Sequence, residues 1–531
     1  MKKIEKLTKP ITALAAKNNP DVFLSADGML NLELFTQAGA AQWAATITGG
    51  RLLYADALGW MVYDDDTGAF SMEYGAAALQ GFLRFFTKLL LNNISRVKPC
   101  DQEIAFKFCK ALQTRSCLDA VASLMRHEPA VFCLPSDFDK DDTVINCRGL
   151  VVGIDGSTRE ATPEDRFTMS APIRPEPGEP AEFTRFLNWA ACGNDELKDW
   201  LLTACGVALY GHSTDRITNF YGTGRNGKGT LLRALFSVMG SYAITLPRSV
   251  AIKEPGQGSR FDIGCLPGKR AAILFDLKPD HGRLNLDILK SVCGNGDQIF
   301  VEKKGKDGYS TALKCKVFLA SNDKIPIESY GNSEKRRFRL VPFNATAEAI
   351  DETLEARFIP EFGKILNLFI EYAVKYYANG RNMPQCKAIE AATDDYFDSQ
   401  DLIKQFLEDT EAFTKTDYEQ KTEFYTKFEE YCGAQQGIRR PIKAKSFTNE
   451  LEKRGIIETV KKIDGKATRV FLRKVTRLQK NLNFILASHE ANSLETNMNF
   501  NNSCNRVTET TETGPYETEE QRQIWETGEV F

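Results

Sequence analysis

The chain has 531 residues, 42% of them apolar and 26% charged, with a formal net charge of −3. That length exceeds what one hydrophobic core organises, so three or more domains are expected, and the balanced charge excludes a globally basic nucleic-acid binder. Thirteen scattered cysteines and four distant histidines exclude a zinc ribbon, a disulfide framework and a local histidine cluster, and point to reduced thiols in a cytosol.

The charged start Met1-Lys-Lys-Ile-Glu-Lys6 is followed by no secretory apolar region, and no run approaches the roughly 20 apolar residues of a spanning helix. A soluble protein without a membrane partner is expected. Residues 36–72 mix a helical pattern with strand-like pieces. Gly59–Tyr63, the turn Asp64-Asp-Asp-Thr-Gly68 and Ala69–Met72 together predict a hairpin. The three acids of that turn read as solvated rather than metal-binding. Helical periodicity covers Tyr74–Arg126, and Thr143–Val152 is β-prone up to the turn Asp155-Gly156. The Pro-rich segment Pro172–Pro180 can continue neither a helix nor a central strand and reads as a linker.

Helices are expected over Phe183–Cys192 and Glu196–Tyr210, then a strand at Ile217–Tyr221. Gly222-Thr-Gly-Arg-Asn-Gly-Lys-Gly-Thr230 follows, with the spacing of a P-loop between a strand and a helix. Such a turn aims backbone N–H groups at one anion, with a lysine beside it and a helix N-terminus behind. Gly222, Thr223, Gly224, Arg225, Asn226, Gly227, Lys228, Gly229 and Thr230 are therefore the expected nucleotide-binding residues, with Lys228 reaching the β- and γ-phosphates of ATP. The hydroxyl residue that normally follows the lysine and serves Mg2+ is here Gly229, and Thr230 is the nearest replacement.

Strands alternating with helices past this point predict a nucleotide-binding α/β core. Arg270–Phe275 is a buried strand that delivers Asp276 at its end, the candidate Mg2+ carboxylate, with Asp280 a possible second acid. Gln298–Glu302 leads into a basic turn carrying Lys303, Lys304 and Lys306, either a solvated loop or a phosphate grip. Cys315–Ala320 is another buried strand ending at Asn322, whose amide could orient an attacking water. Arg336 and Arg337 stand in a cationic run before Leu340–Phe343, a solvated charge run or a source of an arginine for a neighbouring subunit's γ-phosphate. Helices are expected over 347–378. Residues 401–475 carry helices followed by a hairpin about Asp464-Gly465, a winged-helix pattern that either touches duplex DNA or buttresses its neighbours. An Asn-, Thr- and Glu-rich tail is expected to be disordered.

The order of these parts resembles a superfamily 3 helicase of the AAA+ class, in particular the helicase portion of phage and plasmid primase–helicases related to the poxvirus type. The resemblance rests on Gly222–Thr230, Ile273–Asp276, Gly294–Lys304, Val317–Pro326 and Arg336–Phe343. It extends over roughly residues 36–473. It implies a multidomain α/β chain: a helix-rich N-terminal domain with β-hairpins (1–180), a P-loop ATPase core with leading helices (181–345), a helical connector (346–400), a winged helix (401–475) and a disordered tail (476–531). It further implies a ring, usually a homo-hexamer, that hydrolyses ATP with Mg2+ while moving on single-stranded or forked DNA. Lys228, Asp276 and Asn322 take the Walker A, Walker B and sensor roles, Arg336 or Arg337 the arginine finger, and Lys303, Lys304 and Lys306 the DNA contacts. An aspartate stands where the Walker B acid is more usually glutamate. No primase motif precedes Thr36, so a primase is expected to be a separate chain. The setting implied is the cytoplasm of a bacterium hosting a phage or mobile element. The rival function is an origin-binding or loading protein that uses ATP as a switch without unwinding.

Overall fold

The computed structural model describes residues 2–473 apart from 19, 213, 215, 254–261, 279–282, 295–297, 303–307, 328–331, 350, 411, 414–417, 437–441 and 464. The expected disordered tail, Asp280, Lys303, Lys304 and Lys306 thus lie outside the described residues. Two compact units divide at Asp401/Leu402. No described helix is long and apolar enough to cross a membrane.

The first unit opens with a helical region. Helices Lys2–Ala15, Gln37–Ile47, Gly75–Asn92, Gln102–Ala111 and Arg115–Met125 close over a core holding Trp43, Phe82, Leu83 and Phe86. The expected hairpin is there, Val62 opposite Ser71, and a third strand, Leu52–Ala55, pairs with Gly59–Asp64 on its other side. Asp65 and Asp66 of its turn are exposed and Asp64 is buried, and each of the three pairs with a cation. Lys3 pairs with the buried Asp64, Lys6 with Asp66, and Arg51 donates to both oxygens of Asp65 at 2.8 and 2.9 Å. A helix at Lys2–Ala15, unforeseen in the sequence, supplies both lysines.

A second antiparallel sheet, Val144–Cys147, Leu150–Gly153 and Thr158–Glu160, turns at Arg148-Gly149. Buried Asn146 joins the two sheets. Its amide donates to the carbonyls of Thr67, Gly68 and Met169 at 2.9–3.1 Å, and its oxygen accepts from Gly149 N–H at 2.9 Å. Such full satisfaction is what makes a buried amide tolerable. Pro172–Pro180 is irregular, as its prolines require, yet packing does not break there: Ile145, Cys147 and Val152 share one core with residues as distant as Phe369 and Ile389.

That core lies on one face of a five-stranded parallel sheet. Its flanking elements are α1 (Ala181–Ala190), α2 (Asp195–Ala208), α3 (Lys228–Met239) and α4 (Phe362–Ala378). The strands are β1 (Ile217–Tyr221), β2 (Ala243–Thr245), β3 (Ala271–Leu277), β4 (Lys316–Ser321) and β5 (Phe338–Pro342), in the order β5-β1-β4-β3-β2. Side chains alternate across the sheet with period two. Phe318 and Ala320 enter the α1–α4 core, while Val317 and Leu319 enter a second core with Leu289, Val292, Tyr396 and Phe397. Burial on both faces explains why these strands read as continuous apolar runs. A separate two-stranded ladder pairs Gln298–Val301 with Tyr309–Ala312.

The second unit has helices Leu402–Asp409, Lys421–Gln436 and Ala444–Lys453, and a hairpin of Ile456–Ile463 with Lys466–Arg473. A short strand, Tyr418–Gln420, adds to the outer edge of Lys466–Arg473. Phe406, Phe424, Phe428, Phe447 and Phe471 form its core.

Candidate functional site

The parallel pairing brings the carboxyl ends of β1, β4 and β3 side by side, Tyr221 opposite Ser321 and Leu277 opposite Ser321. Ligands of open α/β sheets bind outside this edge. The turn after β1 is shaped by its glycines. A Cβ at Gly222 would stand 2.3 Å from the Phe343 carbonyl oxygen and 2.2 Å from the Asn226 amide. Gly227, the residue before α3, has φ 86°, and a Cβ there would meet the Phe186 ring at 2.8 Å. Only glycine meets both demands at that position.

Lys228 opens α3 with its side chain buried. Its ammonium donates to the Gly222 carbonyl at 2.7 Å, to Asn226 Oδ1 at 2.8 Å and to Asn322 Oδ1 at 3.1 Å. Asn226 is itself fixed, its Nδ2 donating to the Phe343 carbonyl at 3.1 Å. Burial pulls the Lys228 ammonium down to about 8, and the Asp276 carboxylate opposes the fall.

Asp276 does not end its strand. β3 runs on to Leu277, and the register with β4 shifts between Leu274 and Leu277. Asp276 sits in that bulge with φ 53°, exposed while its neighbour Leu277 is buried. The bulge re-aims the carboxylate away from the strand's two-fold alternation. A cavity of about 240 Å³ lies between the turn and the strand ends, lined by Gly224–Thr230, Arg233, Phe275, Asp276, Ala320 and Asn322.

Gly229 lies beneath a flexible side chain from the next helical turn. The guanidinium of Arg233, one helical turn on, lies 2.8 Å from where a Cβ at 229 would stand. Arg233 donates through Nε to Glu355 Oε1 at 2.7 Å, and the Thr230 hydroxyl faces the same carboxylate oxygen at 3.4 Å. Spacing i,i+4 from Gly229 was the sequence signal for Arg233. Nothing local marked Glu355, more than a hundred residues away.

Of the expected site residues, Lys228, Asp276, Asn322 and Gly224–Thr230 therefore meet at one cavity. Gly222 lends its carbonyl to Lys228, and exposed Thr223 is not part of the lining. Exposed Arg336 and half-buried Arg337, on the helix Asn332–Arg337, do not line it either. The donor set fits a polyphosphate: a buried ammonium, the N–H groups of a glycine turn and a helix start. Among the described residues no three His, Cys, Asp or Glu side chains gather as a metal cage. A Mg2+ carried by a nucleotide needs only one or two carboxylates and draws its other ligands from phosphate and water, and Asp276 is a carboxylate at this cavity.

Two family models match parts of the chain: "D5 N terminal like" over residues 41–192, and a family of unknown function, DUF5906, over residues 220–337. No curated protein matches. Among solved structures the chain is similar to the NrS-1 C terminal region (305-718), at 12% identity and TM-score 0.45, covering 82% of this chain and 99% of that one. A second structure of the NrS-1 C terminal region matches at 14% identity and TM-score 0.41 over 68% and 90%. A JCV helicase bound to a small molecule matches at 15% and 0.26 over 43% and 62%. At such values the similarity assigns no activity to this chain.

Proposed function

We propose that this chain is an ATP-dependent DNA helicase of the superfamily 3, AAA+ kind, acting as a homo-hexameric ring in the replication of a phage or mobile element. One observation carries the reading: Lys228, Asp276 and Asn322 converge from three adjacent strand ends on one cavity. In this reading the Lys228 ammonium binds the β- and γ-phosphates of ATP, and the N–H groups of Gly224–Thr230 cradle them. Bound Mg2+, for which Asp276 and Thr230 are the residues in place, would neutralise charge on the phosphoryl oxygens. Asn322 orients the attacking water and Asp276 draws its proton. Arg336 or Arg337 reaches the γ-phosphate of a neighbouring subunit, consistent with their place outside the cavity of their own chain.

The ladder Gln298–Val301/Tyr309–Ala312 flanks the segment of Lys303, Lys304 and Lys306, which would grip DNA phosphates without reading sequence. Residues 401–475 supply a winged helix, residues 181–345 the ATPase core, and a separate chain the primase. The protein then works in the cytoplasm of the host cell. The test is ATP hydrolysis stimulated by single-stranded DNA together with unwinding of a forked duplex. Both should vanish in Lys228→Ala, and full unwinding by that variant would refute the assignment. Specific duplex binding without strand separation would instead indicate an ATP-switched origin-binding or loading protein.

A further inference from the structure

Among the charged side chains of the cavity, that of Arg233 takes part in no step above and has a fixed partner. It is placed on α3 so that its guanidinium covers the open face of Gly229, 2.8 Å from the missing Cβ, and it lines the same cavity as Lys228, Asp276 and Asn322. Its partner Glu355 lies on the short helix Leu354–Phe358, after β5, and bonds it at 2.5 Å through Nη2 and 2.7 Å through Nε. Both side chains of the pair are about half exposed, 53% and 44%. An ion pair so wetted contributes little to stability, so a stronger anion can displace its carboxylate. A polyphosphate is such an anion. It carries several charges, accepts paired guanidinium N–H bonds, and would be fixed beside Arg233 by Lys228.

We propose that Arg233 is a phosphate-binding residue of this site, which exchanges Glu355 for the phosphates of the bound nucleotide. The inference rests on the nucleotide reading of the cavity given above. It bears on Gly229: a Cβ there would stand 2.8 Å from the Arg233 guanidinium, so a side chain at 229 would require that flexible group to move. Glu355 then acts as a built-in competitor. When the nucleotide takes Arg233, the carboxylate is freed together with Thr230, and the helix Leu354–Phe358 feels the loss of its tie to α3.

The experiment is equilibrium binding of a fluorescent ADP analogue to the full chain, in Mg2+ and in EDTA. Wild type, Arg233→Gln, Arg233→Lys, Glu355→Gln, the Arg233→Gln/Glu355→Gln double variant and Lys228→Ala are compared. Arg233→Gln should weaken binding about tenfold, more in EDTA than in Mg2+, and Arg233→Lys should recover part of the loss. Glu355→Gln should tighten binding about threefold, an effect that disappears in the double variant. A purely structural ion pair would give the two single variants effects of the same sign. Equal affinity of wild type and Arg233→Gln, or a Glu355→Gln effect that persists without Arg233, would overturn the inference. If the wild type binds while Lys228→Ala does not, that failure leaves the nucleotide reading standing. If the wild type binds no nucleotide, both fall.

Discussion

The ammonium of Lys228 and the side-chain oxygen of Asn322 are 3.1 Å apart, bonded across from the turn after β1 to the end of β4. β4 lies between β1 and β3, so Asn322 is the group that borders both the lysine and the carboxylate strand. Its Oδ1 accepts from Lys228, and the residue also lines the cavity. Asn322→Ala should therefore lower ATP turnover by roughly 100- to 1000-fold, the order seen when one fixed donor is removed from a reacting site. Nucleotide affinity should change less than about threefold, since Lys228 keeps its bonds to Gly222 and Asn226. Steady-state turnover beside fluorescent-nucleotide binding separates the two. Equal losses in both would make Asn322 a mere buttress of the lysine.

Asp276 occupies a left-handed conformation inside a strand bulge. Aspartate and asparagine tolerate that region through local hydrogen bonding, whereas β-branched residues do not. Asp276→Asn should keep the fold and the nucleotide affinity while abolishing hydrolysis. Asp276→Val should in addition destabilise the chain by about 1–2 kcal/mol. Thermal melting of both variants is the check. A fully stable valine variant would mean that the bulge relaxes freely and does not hold the carboxylate in place.

The depressed Lys228 ammonium gives a pH signature. The charged form binds phosphate, and with a value of about 8 in the folded chain it is lost as pH rises past 8. Affinity for ADP should hold steady from pH 6.5 to 7.5 and fall towards tenfold per unit above about 8. Bound phosphate favours the ammonium, so binding at pH 8.5 should take up protons, measurable as a buffer-dependent heat. Stability moves the other way. Between about 8 and the unfolded chain's ordinary lysine value, the unfolded state holds more protons, so this group's burial penalty eases as pH rises. Weaker binding alongside unreduced stability at pH 9 is the combined expectation. Binding that stays constant to pH 9.5 would refute the assigned role.

Much of this site could be read from local chemistry. Gly222, Gly227 and Lys228 announced themselves because a phosphate turn needs glycine at fixed spacing, and the strands of Asp276 and Asn322 because sheets buried on both faces are continuously apolar. What escaped was non-local. Asn226 was expected to lend a backbone N–H, and its side chain also accepts from Lys228 while donating to the Phe343 carbonyl far along the chain, a contact that no local pattern marked. Asp276 was placed at a strand end because a bulge leaves no periodic trace. Glu355 had no motif at all. The partners of Asp64 and Asp66 escaped notice because Lys3 and Lys6 lie some sixty residues earlier, on a helix with an internal Pro10.

The same limit applies to Pro172–Pro180, where composition suggested a boundary and the core passes through. Arg270, just before β3, is the clearest cross-tie. Its buried guanidinium donates through Nη1 to the carbonyls of Val144 at 2.8 Å and Leu209 at 2.7 Å, and lies 4.4 Å from the centre of the Tyr242 ring. Tyr242 in turn accepts from Asn146 N–H at 3.1 Å. Arg270→Met keeps the volume but orphans both carbonyls, a loss of about 2–4 kcal/mol at charge-assisted bond strengths. If the sheet of Val144–Gly153 and the strand β3 open as one cooperative unit, amide hydrogen exchange should accelerate together in both, by roughly 30- to 1000-fold for that energy. Acceleration confined to Val144–Gly153 would mean that the hairpin sheet is a separate module docked on the parallel-sheet core, and that the boundary suggested by the prolines is real in energy though not in packing.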